Sequence, residues 1–131
     1  MKQFLLATFL IALPVVGFSG YETFFNSAPA VAGPSALGDL SAMQVVVKDT
    51  QALAEKGDFV AAEKRITDFE TLWDQAEPTL RPMNKDAWSN VDAGSDGALK
   101  ALRSKTPDAA KVKEKLAALL ASLSDPSKPV N

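Results

Sequence analysis

Carboxylates would carry most of any metal-binding or proton-transfer chemistry in this chain, because it contains neither histidine nor cysteine. The missing histidine removes the commonest general base, the neutral-pH switch and the usual zinc, copper or haem ligand. The missing cysteine removes disulfides and thiolate chemistry. Two acidic patterns remain. Asp92-Ala-Gly94-Ser-Asp96-Gly97 imitates the opening of a calcium loop. Such a loop needs a side-chain oxygen at its third position and a bidentate Glu at its twelfth. Here those positions hold Gly94 and Arg103, so the pattern reads better as an exposed helix face or a close backbone approach. The second pattern is Glu63, Asp68, Glu70, Asp74 and Glu77, spread along one segment. Diiron bundles point Glu and Glu-x-x-His inward. None of these five acids falls on the apolar stripe of its segment, so they read as a solvated face. No metal, no cofactor and no catalytic residue is expected, and the chain is read as a non-enzyme.

The sharper candidates are aromatic. Trp73 and Trp88 both fall on inward-facing stripes near the same end of a helical hairpin. Core packing is the ordinary role for such residues, with the indole N–H groups reaching the loop backbone. The alternative is a ligand or partner site built from Trp73, Glu77, Arg81 and Trp88 and roofed by a loop over residues 77–84. Arg81 is expected to pair with Asp74 or Glu77 at the surface, a contact worth at most about 1 kcal/mol.

The elements that would position these residues follow from periodicity and punctuation. A first helix runs from Asp39 or Ser41 to Lys56, with Met43, Val46, Val47, Thr50, Leu53 and Ala54 inward and Gly57 closing it. Asp58 caps a second helix whose stripe is Phe59, Ala62, Ile66, Phe69, Trp73 and Ala76. Pro78 and Pro82 bracket its end, leaving Glu77-Pro-Thr-Leu-Arg-Pro82 as a connection that can hold one final helical turn. A third helix starts at Asn84 to Asp86 and turns Trp88, Val91, Ser95, Ala98, Leu99 and Leu102 inward. Gly94 and Gly97 weaken it by about 1 kcal/mol each relative to Ala. Thr106-Pro107-Asp108 supplies a capping hydroxyl, a proline for the first helical position and an acid for the first turn. The fourth helix then presents Ala109, Val112, Leu116, Leu119 and Leu123 and stops before Pro126. The expected fold is all-α: an antiparallel four-helix bundle in up-down-up-down order over residues 39–124, preceded by an N-terminal hydrophobic helix. Residues 26–38, rich in Ala, Pro, Gly and Ser, read as a flexible linker. Residues 125–131 read as a frayed tail.

The N-terminal segment gives the address. Behind Lys2 the uncharged run from Phe4 to Ser19 has the form of a secretory signal. Ala28-Pro-Ala30 and Ala30-Val-Ala32 offer cleavage sites, but Gly20 to Ser27 makes an unusually long approach to them. A retained anchor is the favoured reading. Residues 4–25 as a helix would span about 33 Å, enough for a hydrocarbon core of about 30 Å. Phe4, Leu5, Leu6, Phe9, Leu10, Ile11, Leu13, Val15, Val16 and Phe18 would lie in the membrane, with Tyr21, Phe24 and Phe25 at the far interface. Lys2 and the amino terminus predict the N-terminus inside. The expected location is therefore the inner membrane, single-pass, with the C-terminal domain in the periplasm; cleavage to a periplasmic or secreted form is the alternative.

Charge adds one exclusion. The chain carries 14 basic and 16 acidic residues, a net charge of −2. Removing residues 1–32 takes away Lys2 and Glu22, one of each sign, so the balance is unchanged. No electrostatic footprint for nucleic acid is present. The expected partners are the membrane, through the N-terminal helix, and another envelope protein. The oligomeric state is left open.

Asp68-Phe-Glu-Thr-Leu-Trp-Asp-Gln-Ala-Glu-Pro-Thr-Leu-Arg-Pro82, then Trp88-Ser-Asn-Val-Asp92 and Ala98-Leu-Lys-Ala-Leu-Arg103, resemble a group of short bacterial helical proteins, exported or membrane-anchored, of no assigned activity. The likeness rests on Trp73, Asp74, Glu77, Leu80, Arg81, Pro82, Trp88, Val91, Asp92, Leu99, Leu102, Arg103 and Pro107-Asp108. It covers residues 39–124 and the N-terminal apolar segment. Gly94 and Gly97 depart from the helix-favouring residues expected there. The resemblance implies a bacterial envelope location and no activity. The chain itself is read as a non-enzymatic, membrane-tethered helical binding or interaction module; the alternative is a helper subunit of a membrane complex engaged through the N-terminal helix, and a carboxylate metal carrier or enzyme is the least favoured reading.

Overall fold

The computed structural model describes residues 35–130. The anchor expected over residues 4–25 and most of the 26–38 linker lie outside them. Within them the chain is all-helical: α1 (Ser41–Glu55), α2 (Phe59–Met83), α3 (Lys85–Leu102) and α4 (Ala109–Ser124). No helix among the described residues is long and apolar enough to cross a membrane. Each helix packs on its neighbour in sequence, and α1 packs on α4. This closed ring of contacts is compatible with a four-helix bundle.

Turn chemistry explains why the helices begin and end where they do. Gly57, at φ +76°, donates its N–H to the Ala54 carbonyl at 2.9 Å, and the Asp58 N–H reaches the Leu53 carbonyl at 3.1 Å. This pair of bonds closes a helix on a left-handed glycine. A Cβ there would force an L-residue into a backbone conformation it avoids. Asp58 then turns outward, and its carboxylate accepts the Ala61 N–H at 3.0 Å to open α2. One short turn ends one helix and caps the next.

The prolines behave differently from expectation. Pro78 and Pro82 lie inside α2, which continues to Met83. The connection expected over residues 77–82 is helix, and no loop spans 77–84. The two prolines are four apart, so the N–H that Pro82 lacks would have sought the carbonyl of Pro78. Both rings are exposed, so water can serve the freed carbonyls at Asp74 and Pro78. Asn84 alone joins α2 to α3. In an extended conformation (φ −160°, ψ 99°) it accepts the Ala87 N–H on its side chain at 3.0 Å.

At α4 the cap is Asp108, whose carboxylate accepts the Lys111 N–H at 2.8 Å. Thr106 and Pro107 therefore precede the helix, contrary to the expected hydroxyl cap and first-position proline. A carboxylate one residue from the first turn is as good a cap as a hydroxyl and also complements the helix dipole. Ala109, expected inward, is exposed.

The core gathers the remaining expected stripes. Val47, Ile66, Phe69, Val91, Val112, Leu116, Leu119 and Leu123 are all buried. Polar pairs also link the helices. Arg65 on α2 reaches Asp49 on α1 at 2.8 Å, and Gln44 near the start of α1 donates to the Leu123 carbonyl near the end of α4 at 3.3 Å. Arg103, just after α3, meets Glu70 on α2 at 2.6 Å. Asp49, then Asp68, raises the Arg65 pKa above its ordinary value, and Glu70 does the same for Arg103.

Both edges of the domain extend beyond the expected boundaries. Leu37, assigned to the linker, is buried in the core beside Leu40. The turn that delivers it closes with Gly38 (φ +77°) donating to the Ser35 carbonyl at 2.8 Å. At the other end, residues 125–130 are docked. Pro126 is buried, and its carbonyl accepts from the Asn90 amide at 2.9 Å. The reason is local: α3 offers a side-chain donor and a gap at Gly94, where an added Cβ would lie 3.4 Å from Val130.

Candidate functional site

α2 places Phe69, Trp73, Glu77 and Arg81 at successive four-residue steps, so they form one row along the helix. The one-residue Asn84 connection returns the chain at once, and Trp88 on α3 lies against the row. Phe69 and Trp73 stack with ring centroids 6.1 Å apart. Trp73 and Trp88 stack at 5.9 Å, their planes within 11°. These are offset stacks, the geometry that the ring quadrupoles favour. The Arg81 guanidinium carbon lies over the Trp88 ring, 5.0 Å from its centroid, within the range of a cation–π contact. Glu77 holds that guanidinium from behind, Oε1 to Nη1 at 3.1 Å.

All four residues expected from spacing (Trp73, Glu77, Arg81 and Trp88) therefore meet at one place. They meet without the expected roof, since residues 77–83 are helix and Asn84 alone makes the connection. The two indoles differ in their surroundings. Trp73 is 2% exposed, and its N–H donates to Asp92 Oδ1 at 3.1 Å. Trp88 is only partly buried. Its Nε1 is out of contact with solvent and has no hydrogen-bond partner among the described residues. A buried indole N–H ordinarily finds an acceptor, so Trp88 stands out.

Asp92 and Phe69 were not among the expected site residues. Asp92 sits four residues after Trp88, on the same face of α3, and that spacing was the available signal. Its carboxylate serves an indole rather than a cation. The whole calcium-like stretch Asp92–Gly97 is interior to α3, and helical backbone cannot wrap an ion as a calcium loop does. Among the described residues no three acids gather closely enough to hold a metal. Gly94 instead lets α4 approach. A Cβ there would lie 3.1 Å from Ser122 Oγ and 3.3 Å from Leu119 Cα.

Chemically, the patch offers a flat aromatic face and a guanidinium with donors beyond the one spent on Glu77, while the Trp88 N–H, closed off from solvent, has no acceptor among the described residues. Aromatic faces and free guanidinium donors match flat groups and hydrogen-bond acceptors. No protein-family model, no curated protein and no solved structure matches this chain.

Proposed function

We propose that this chain is a bacterial cell-envelope protein: a non-enzymatic helical binding module tethered to the inner membrane by residues 4–25, with its domain in the periplasm. The domain is read as an antiparallel, up-down-up-down bundle. The Asp49–Arg65 pairing beside a tight turn and the Gln44–Leu123 pairing between the start of α1 and the end of α4 support that order. The observation that carries the binding role is Trp88. It is a partly exposed indole under a cation, and its N–H has no acceptor among the described residues. A tryptophan that served only as a packing pin would satisfy that N–H, as Trp73 does through Asp92. Partner surfaces commonly centre on a Trp and an Arg set in a packed surround.

The reading is tested by placing a photo-crosslinking amino acid at position 81 and, separately, at exposed Lys64 on α2, in the full chain expressed in bacterial cells. A discrete adduct from position 81 with none from position 64 is the expected result. Equal labelling from both, or none from either, contradicts a site at Arg81 and Trp88. Adducts confined to crosslinkers within residues 4–25 would favour the helper-subunit reading instead.

A further inference from the structure

Away from the tryptophans, the end of α3 and the start of α4 enclose a cleft of about 440 Å³ that is lined by Lys100, Lys111 and Lys115. Ser104 and Thr106, from the connection between the helices, add hydroxyl groups to its wall. Gly97 contributes no side chain, and the Lys115 stem occupies that space: an added Cβ would lie 3.4 Å from Lys115 Cδ. The Lys115 side chain is consequently only 31% exposed, although it carries a charge.

The local charge balance is unusual for a chain of net −2. Among the described residues, Lys100 and Lys111 form no ion pair, and Lys115 has only a 3.7 Å contact with its neighbour Glu114. One carboxylate, Asp108, lines the cleft, and its Oδ1 is occupied by the backbone N–H of Lys111. Lys111 also stands in the first turn of α4, where a cation opposes the helix dipole. Segments that break a local rule are where functional sites are found. Several ammonium groups and two hydroxyls suit a tetrahedral dianion; a planar carboxylate is better matched by the fork of an arginine.

We propose that this cleft, which Lys100, Lys111 and Lys115 line together with Ser104 and Thr106, binds a phosphoryl group. The group belongs either to a free phosphate or to a phospholipid headgroup, and the chemistry of recognition is the same. The proposal is independent of the role given to Trp88, and its failure would leave that role untouched.

The test uses the full chain, isotopically labelled, in nonionic maltoside micelles. Inorganic pyrophosphate is titrated against sodium chloride of matched ionic strength while backbone amide shifts are followed. A second arm compares nanodiscs of phosphatidylcholine with nanodiscs containing phosphatidylglycerol. Expected are saturable shifts confined to residues 97–115 in at least one arm, weakened at least fivefold by Lys111→Gln or Lys115→Gln and unchanged by Lys64→Gln. Saturation by pyrophosphate assigns a free phosphoryl ligand; a response only to phosphatidylglycerol assigns a headgroup. No saturable shift in either arm, shifts matched by chloride, or equal weakening by Lys64→Gln would overturn the proposal.

Discussion

Asn84 carries two helix ends on one side chain and one backbone unit. Its N–H reaches back to the Leu80 carbonyl at 3.4 Å, and its side chain accepts from Ala87. Asn84→Ala should lower stability by about 1–2 kcal/mol, read as a fall in urea midpoint, whereas Asn84→Asp should keep most of it. The two tryptophans separate in the same way. Trp73→Phe strands the Asp92 carboxylate beside an apolar edge and should cost about 1–3 kcal/mol. Trp88→Phe removes an N–H that has no partner and should cost less than about 1 kcal/mol. Similar losses for both substitutions in chemical denaturation would contradict the asymmetry. At this scale the meeting of Trp73 with Trp88 was legible from their apolar stripes near one end of a hairpin, whereas the row that carries Glu77 and Arg81 was not, because residues 77–82 read as a connection. Asp92 was not, because a surface acid looks the same in sequence whether it faces water or an indole.

Helix existence was legible from apolar period and caps, and helix ends were legible only where the cap was unambiguous. Asp58 and Gly57 gave the first turn correctly. Pro78 and Pro82 misled, because the usual stop rule supposes that the lost hydrogen bonds cannot be borne. On an exposed face with four-residue spacing they can. Pro78→Ala restores one backbone donor to α2, against about 1 kcal/mol of unfolded-state entropy. The net expectation is a stabilisation of about 1–2 kcal/mol, seen as a rise in Tm. Gly94 shows the reverse case. Helix propensity alone favours Gly94→Ala by about 1 kcal/mol, but the 3.3 Å approach to the Leu119 backbone opposes it. Gly94→Val, with more atoms and the same backbone wall, should destabilise by about 2 kcal/mol or more. A neutral Gly94→Val would mean that α4 can retreat freely.

The described residues share a core that begins before the first helix. Leu37 is 1% exposed, so a domain trimmed to start at Asp39 should be less stable by about 2 kcal/mol than one starting at Ser35. Composition had assigned Leu37 to the linker, since a single leucine among Pro, Gly and Ser carries no period. Stability should also be flat between about pH 5 and 8, since no histidine titrates there. A hydroxyl hydrogen bond from Ser41 holds the Asp39 carboxyl below its usual range, and one from Ser127, then Lys128, does so for Asp125. Carboxyls lowered in this way stabilise the fold above the unfolded carboxyl value. That contribution fades as pH falls through their lowered values, so any loss belongs to the acid side. Midpoints of urea unfolding across that range check the point, and a step near pH 6 to 7 would contradict it.

The tethered binding role proposed for the domain depends on its being held at the membrane, and one measurement addresses that directly. The full chain is expressed in bacteria, the cells are fractionated into membrane and soluble envelope pools, and the intact mass of the mature protein is determined. A mass equal to residues 1–131 in the membrane pool is the predicted result. A mass beginning after Ala30 or Ala32 in the soluble pool would contradict the tether.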